Sequence, residues 1–253
     1  MAQAGLHGVA GICLSRHLAP VVIRGDAARK AFVFGFVLGN LLPDTDFFLL
    51  GPWFLVNARQ ALTLHRTWSH SILVIALVTL LLWAWRRREP GGAGLALGAG
   101  LGMLLHSLVD MLVWFSAVDF LWPLGYLGVS GVVYLWSGIH VPALVKNFMG
   151  AADYLAFALF FLYLGALARR AGTDTAFLPR LRLFTNLNWI FLAVFTALGV
   201  TLTRSQFVFE VAHYAFFILV FFPISLYVVV KMQRTIEQLA FPVPRAGRPA
   251  AVS

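Results

Sequence analysis

The chain has 253 residues, of which 60% are hydrophobic and only 11% are charged. A soluble domain carries about 25% charged residues, so this composition excludes an ordinary soluble globule and indicates an integral membrane protein. The net charge of +9 does not indicate nucleic acid as a partner, because the basic residues lie in short segments between apolar runs rather than in one patch.

Seven apolar runs predict an all-α, polytopic transmembrane helical bundle with about seven spans. Most of them approach the 17–25 residues that cross about 30 Å of hydrocarbon. The runs are 3–19, 31–50, 71–85, 95–118, 154–168, 187–202 and 207–230. The first is less apolar and is expected inside the bundle; it lacks the basic start and cleavage site of a signal peptide. Cys13 lies within it and is predicted to be a small core residue.

The basic residues predict the orientation of these spans. Fifteen of the 19 Lys and Arg residues fall on one side of a seven-span bundle. The other side receives Arg59, Arg66, Lys146 and Arg204. Because cytoplasmic loops are enriched in Lys and Arg, we predict that the N-terminus lies outside and the C-terminus lies in the cytoplasm.

The segment 119–149 is predicted to be interfacial or re-entrant. An eighth span over 126–145 would remove the charge asymmetry, so we exclude it. Aromatic side chains of this segment are expected at headgroup depth, namely Trp122, Tyr126, Tyr134 and Trp136. Residues 1–240 are predicted to form one transmembrane domain whose metal-site half is 1–125. Residues 241–253 are predicted to be a disordered cytoplasmic tail.

Histidines and acids collect at the predicted outer ends of three spans. The group consists of Asp44, Asp46, His65, His70, His106 and Asp110. His106 and Asp110 are four residues apart and therefore share one helical face. Ser69 is predicted to cap the third span, with His70 in its first turn. Charged groups at membrane depth are costly unless something binds them, so this clustering predicts a metal site.

The residue types indicate Zn²⁺ or Mn²⁺, which imidazole nitrogens and carboxylate oxygens bind, with a position left open for water. Such a metal lowers the pKa of its water toward 7 and supplies hydroxide for attack on an ester or phosphoester. Arg66 is placed to bind a phosphate or a developing oxyanion. The alternatives are a structural hydrogen-bonded pair for His106 and Asp110, and a helix cap for Asp44-Thr-Asp46.

These motifs resemble those of the YdjM-like family of inner-membrane proteins, which are described as metal-dependent hydrolases. The motifs are Gly39-Asn-Leu-Leu-Pro-Asp-Thr-Asp46, His65-Arg-x-x-Ser-His-Ser71, His106-Ser-x-x-Asp110, Trp122-Pro123 and the early His7-x-x-x-Gly11. The resemblance covers roughly residues 5–125 and leaves the second half of the chain without a motif.

The family is in turn distantly similar to the zinc-dependent phospholipase C and single-strand nuclease superfamily. The resemblance implies that the metal ligands are Asp44 or Asp46, His65 or His70, His106 and Asp110, with His7 as an added ligand. We expect Asp46 in the metal set, and Asp44 and Arg66 in catalytic roles. The chain departs from the superfamily because no downstream HxxxE motif follows to complete a three-metal cluster.

The leading function is a metal-dependent hydrolase near the outer leaflet of the bacterial inner membrane, acting on a lipid-like ester or phosphoester. The alternative is a non-catalytic assembly factor or complex subunit with membrane protein partners and a structural or vestigial metal. A transporter is disfavoured because the intramembrane acids form no relay to the cytoplasm. Glu210 and His213, with His140 and Asp153, are candidates for a second metal site.

Overall fold

The computed structural model describes residues 4–113 and 117–241, without the side chains of 54, 55, 58, 59, 62 and 63. The predicted tail lies outside the described residues except for Phe241, whose ring lies 5.4 Å from the Lys30 ammonium. The predicted role of Arg59 as an outer loop residue also concerns a side chain that is not described.

Helices dominate the described residues, which confirms the predicted all-α class. They are α1 (Ala4–Val22), α2 (Asp26–Gly39), α3 (Asp46–His65), α4 (Ile72–Arg86), α5 (Gly92–Val113), α6 (Ala143–Ala171), α7 (Leu178–Thr201), α8 (Gln206–Phe216), α9 (Phe222–Lys231) and α10 (Gln233–Glu237). A π-helical stretch, Phe217–Phe221, joins α8 to α9. The sheet in this part of the chain is one antiparallel pair, β1 (Val118–Asp119) and β2 (Val132–Val133).

Four helical segments within the described ranges are long and apolar enough to cross a membrane. They are Gly92–Val113, Ala143–Ala171, Thr175–Thr201 and Thr203–Lys231. A fifth results if Asp26–Gly39 and Leu42–Trp53, which are bent by 48° at a short break, form one span. The chain is therefore an integral membrane protein by length and composition of its helices.

The predicted span 31–50 is not one continuous helix. Helix α2 ends at Gly39 and a 3-10 turn, Leu42–Thr45, precedes α3. Pro43 explains the break, because it has no N–H to donate to the preceding turn and disfavours helical geometry in the residue before it. Helix α3 is itself interrupted at Asn57 (φ −151°, ψ 83°), whose Oδ1 accepts a hydrogen bond from the Gln60 N–H at 3.1 Å.

Helices α2 and α5 lie side by side in the same direction and approach each other closely. Gly94, Gly98 and Gly102 recur at every fourth residue of α5, and a Cβ at any of them would collide with a backbone carbonyl of α2. Gly35 and Gly39 make the reciprocal approach from α2. Small residues at this spacing allow membrane helices to pack backbone to backbone. This packing brings the end of α2 against the second half of α5.

The segment 118–142 is a short hairpin with a 3-10 turn at Leu124–Leu127, in place of an eighth helical crossing. Its backbone joins the loop after α3, where the Asp119 N–H donates to the Arg66 carbonyl and the Ile72 N–H donates to the Phe120 carbonyl, both at 3.0 Å. The predicted segment 119–149 extends too far, because α6 already begins at Ala143. The prediction for Cys13 is also wrong: this side chain is exposed, since α1 buries other faces against α2 and α6.

Candidate metal centre

One buried cluster at one end of the bundle contains all eight side chains that the sequence predicted for the site. One of these side chains comes from α1 and one from the turn after α2. Two come from the two ends of α3, two from the loop before α4, and two from α5. They are His7, Asp44, Asp46, His65, Arg66, His70, His106 and Asp110. Seven of them are at most 1% exposed, and Arg66 is 8% exposed.

Three overlapping groups in this cluster could hold a metal ion, because their ligand atoms lie within 4.8 Å of one another. The groups are His7, His106 and Asp110; Asp44, His70 and His106; and His65, His70 and Asp110. The Nε2 atoms of His106 and His65 lie 3.4 and 3.5 Å from Asp44 Oδ1. His70 Nε2 lies 3.3 Å from Asp110 Oδ2. Tetrahedral ligands with bonds of about 2.0–2.2 Å are about 3.3–3.6 Å apart, so each of these pairs has the spacing of two ligands of one divalent ion.

The other ring nitrogens of His106 and His65 are engaged by hydrogen-bond acceptors. His106 Nδ1 donates to the Asn40 carbonyl oxygen at 2.9 Å, and His65 Nδ1 donates to Asp46 Oδ1 at 2.7 Å. In the neutral imidazole, a proton on Nδ1 leaves the lone pair of Nε2 directed toward Asp44. Metal-binding histidines are commonly oriented by such a second hydrogen bond.

Ser69 completes the same arrangement for His70. Its hydroxyl oxygen lies 2.7 Å from Asp46 Oδ2, 2.8 Å from the His65 carbonyl oxygen and 2.8 Å from His70 Nδ1. The hydroxyl can donate to Asp46 and accept from His70, so Nε2 of His70 is again the nitrogen with a free lone pair. Ser69 therefore does not cap α4 as predicted. The cap is Ser71, which accepts an N–H of the first turn.

The atoms that face one another at the centre have no hydrogen-bond partner. They are both carboxylate oxygens of Asp44, Oδ2 of Asp110 and the Nε2 atoms of His65, His70 and His106. An unsatisfied buried polar atom costs about 1–3 kcal/mol, and a cation bound among these atoms would satisfy them. Burial lowers the pKa of His70 to about 4, which keeps this imidazole in the neutral form that binds metals. The donor set fits a divalent cation.

His7 and Arg66 flank the other carboxylate of the cluster. His7 Nε2 lies 3.1 Å from Asp110 Oδ1, and the ring of His7 stacks on His106 with centroids 3.7 Å apart. The Arg66 Nε lies 3.5 Å from Asp110 Oδ2. The carboxamide of Asn40 donates to the His7 carbonyl oxygen. His7 thus supports Asp110 from α1, and Arg66 lies on the more exposed side of the cluster.

Asp153 of α6 holds the start of the helix that carries His7. Its Oδ1 accepts a hydrogen bond from the Gly5 N–H at 2.9 Å, and the carboxylate is 1% exposed. A side-chain oxygen on a first-turn N–H has the role of an N-cap, here supplied by another helix. Sequence reasoning missed this role, because nothing local links α6 to the beginning of α1.

The structure does not bring together the candidates for a second metal site. Glu210 Oε1 accepts a hydrogen bond from Gln206 at 2.9 Å, whereas His213 is buried beside Tyr154, whose hydroxyl lies 3.4 Å from His213 Nδ1. No metal-binding group among the described residues includes Glu210, His213, His140 or Asp153.

The fold and the cluster define a class: a polytopic α-helical membrane protein with a buried histidine–aspartate group that could hold a metal ion. The family model described as YdjM inner membrane protein matches residues 1–235. The chain belongs to this family, and the match extends from α1 into α10, well beyond the part that carries the motifs. Comparisons with curated proteins and with solved structures gave no match. Family and helices together identify an integral inner-membrane protein.

Proposed function

We propose that this chain is a membrane-embedded, metal-dependent hydrolase. Its metal, Zn²⁺ or less favourably Mn²⁺, would be held by three or four ligands drawn from Asp44, His65, His70, His106 and Asp110, which leaves a position for water. The observation that carries the proposal is the convergence of three unpartnered Nε2 atoms on two carboxylates in the buried centre. A structural hydrogen-bonded pair, the simpler interpretation, does not account for five buried groups that converge with so many polar atoms unpartnered.

The geometry favours Asp44 over Asp46 as the direct ligand. Both oxygens of Asp44 lack a hydrogen-bond partner, whereas the oxygens of Asp46 are engaged by His65 and Ser69. Asp46 would therefore orient a ligand rather than bind the metal. His7 would have the equivalent role for Asp110 Oδ1.

The chain's own groups supply the remaining parts of a hydrolytic reaction. When bound, the metal would act as a Lewis acid and lower the pKa of a water to near 7. Asp44 Oδ1 faces the histidines, and its Oδ2 would accept the proton of the attacking water. The Nη2 of Arg66 has no hydrogen-bond partner and would bind the developing negative charge on an ester or phosphoester oxygen.

A lipid-like substrate is supported by the hairpin beside the centre. Residues 120–145 contain no Asp, Glu, Lys or Arg, and Tyr126 and Leu127 near the tip are 83% and 78% exposed. The Ser71 hydroxyl donates to the Trp122 carbonyl at 2.6 Å, so the hairpin is tied to the loop that carries His70. Apolar and aromatic side chains of this kind lie at the bilayer interface, where the bond to be cleaved in an amphiphile would also lie.

We further propose seven crossings: α1, α2, α4, α5, α6, α7 and the α8–α9 unit, with α3 and the hairpin as excursions on the side of the metal centre. This topology keeps the basic segments, among them Arg86–Arg88 and Arg169–Arg170, at the end opposite to the centre. The positive-inside rule then places the centre near the outer leaflet and the C-terminus in the cytoplasm.

The metal content of purified protein tests the proposal. We expect Zn²⁺ in the wild type and in a His140→Ala control, whose histidine is exposed and outside the cluster, and none in the His106→Ala, Asp110→Ala double variant. Equal metal content in all three proteins would show that His106 and Asp110 are not metal ligands.

Hydrolysis of a panel of phospholipids and polyprenyl phosphates then tests catalysis. We expect turnover that a chelator abolishes and that added Zn²⁺ restores. We also expect Arg66→Ala to reduce turnover while the metal content stays unchanged. Turnover indifferent to the chelator would reject the mechanism. A metal-loaded protein without turnover on the panel would instead support the second candidate, a non-catalytic assembly factor for membrane protein partners.

A further inference from the structure

A groove of about 770 Å³ lies between α6 and α7, away from the metal centre. Its lining includes Gly165 and Arg169 from α6, and Arg182, Asn186 and Trp189 from α7. Gly165 and Arg169 are one helical turn apart, and the three α7 residues follow one another at intervals of four and three. The groove therefore follows one stripe of each helix, from the basic end of the bundle toward its middle.

The guanidinium of Arg169 lies inside this groove. A Cβ on Gly165 would be 3.5 Å from Arg169 Nη1, so the guanidinium lies beside Gly165, one turn back along α6. The Arg182 side chain lines the facing wall. Within the part of the chain that the structure describes, neither arginine forms a salt bridge, and no Asp or Glu lines the groove.

We propose that this groove binds one anionic phospholipid from the leaflet at the basic end of the bundle. The phosphate would lie between Arg169 and Arg182, with the Asn186 carboxamide on the headgroup. The acyl chains would follow the exposed apolar side chains of Leu162 and Trp189. Two uncompensated guanidinium groups above an apolar channel match a ligand with an anionic head and a hydrocarbon tail, and basic pockets between membrane helices bind such headgroups.

Native mass spectrometry of the full-length protein in a neutral detergent tests this proposal. The probes are phosphatidylglycerol and phosphatidylcholine with identical acyl chains. We expect one phosphatidylglycerol to remain bound and phosphatidylcholine to dissociate. The Arg169→Ala, Arg182→Ala variant should bind phosphatidylglycerol about 30-fold more weakly. Arg170→Ala is the matched control, because it removes the same charge from the same helix but lies outside the groove.

The charge-preserving variant Arg169→Lys, Arg182→Lys should retain most of the binding, which separates loss of charge from loss of fold. Equal retention of the two lipids would overturn the proposal, as would equal weakening by Arg170→Ala. Displacement of the lipid by millimolar inorganic phosphate would show that the groove takes a free anion instead. Unchanged phosphatidylglycerol binding in the Arg169→Ala, Arg182→Ala variant would also overturn the proposal. These outcomes do not depend on whether the metal centre is catalytic.

Discussion

Asp46 Oδ1 accepts a hydrogen bond from His65 Nδ1 at 2.7 Å, although the two residues are nineteen positions apart on α3. A straight helix would separate them by about 28 Å. The interruption at Asn57 folds α3 back, so that its first and last residues meet. One element thus contributes to the centre twice, and Ser69, which contacts the same carboxylate, joins α3 to the loop that carries His70.

The first prediction separates the two aspartates of the Asp-x-Asp motif. Asp46→Asn should weaken Zn²⁺ binding by about 10–100-fold, because a carboxamide has one acceptor oxygen and cannot accept from both His65 and Ser69. Asp44→Asn should weaken it further, because it removes a charged ligand. Competition with a chelator of known affinity measures both. A larger loss of Zn²⁺ affinity for Asp46→Asn than for Asp44→Asn would indicate that Asp46 is the direct ligand and Asp44 the orienting residue.

The second prediction concerns Asp153 as the cap of α1. Asp153→Ala should lower the free energy of unfolding by about 0.5–2 kcal/mol, because the Gly5 N–H loses its acceptor. Asp153→Asn should remain near the wild type, since a carboxamide oxygen can accept the same hydrogen bond. Thermal unfolding in one detergent compares the three proteins. If asparagine is as harmful as alanine, the negative charge rather than the cap stabilises the structure.

The third prediction tests the close contact of α2 and α5. Gly98→Ala should destabilise the protein by about 1–3 kcal/mol, because its Cβ would collide with the backbone of α2 at Phe32. Gly51→Ala is the matched control: its Cβ would meet nothing within 4 Å, and the change should be neutral or stabilising by up to about 1 kcal/mol. Denaturation curves of both variants provide the measurement. Equal stability of the two variants would contradict the close packing.

The fourth prediction tests the orientation. In a Cys13→Ser background, which removes the single cysteine, Ser137→Cys on the hairpin should react with a membrane-impermeant maleimide in intact cells. Arg88→Cys, in the loop between α4 and α5, should react only after the membrane is permeabilised. Both wild-type side chains are exposed, so accessibility within the protein does not confound the comparison. The reverse labelling pattern would place the metal centre on the cytoplasmic side.

The amino-acid pattern alone predicts the helical membrane class and the residues that lie in the cluster. Apolar runs predict helices because the hydrocarbon requires internal backbone hydrogen bonding, and each of the seven predicted runs overlaps a helix of the structure. The eight predicted site residues lie together because buried polar groups in such a chain have few places where they can be satisfied.

How these residues divide their roles depends on contacts between distant segments. The spacing of Asp44 and Asp46 cannot show which one faces Nε2 atoms and which one is engaged by Ser69, because both partners come from other segments. The same holds for the fold-back of α3 and for Asp153, which caps a helix 148 positions away. Local sequence sets the period and the end of a helix, whereas the partner of a side chain depends on packing between segments that are distant in the chain.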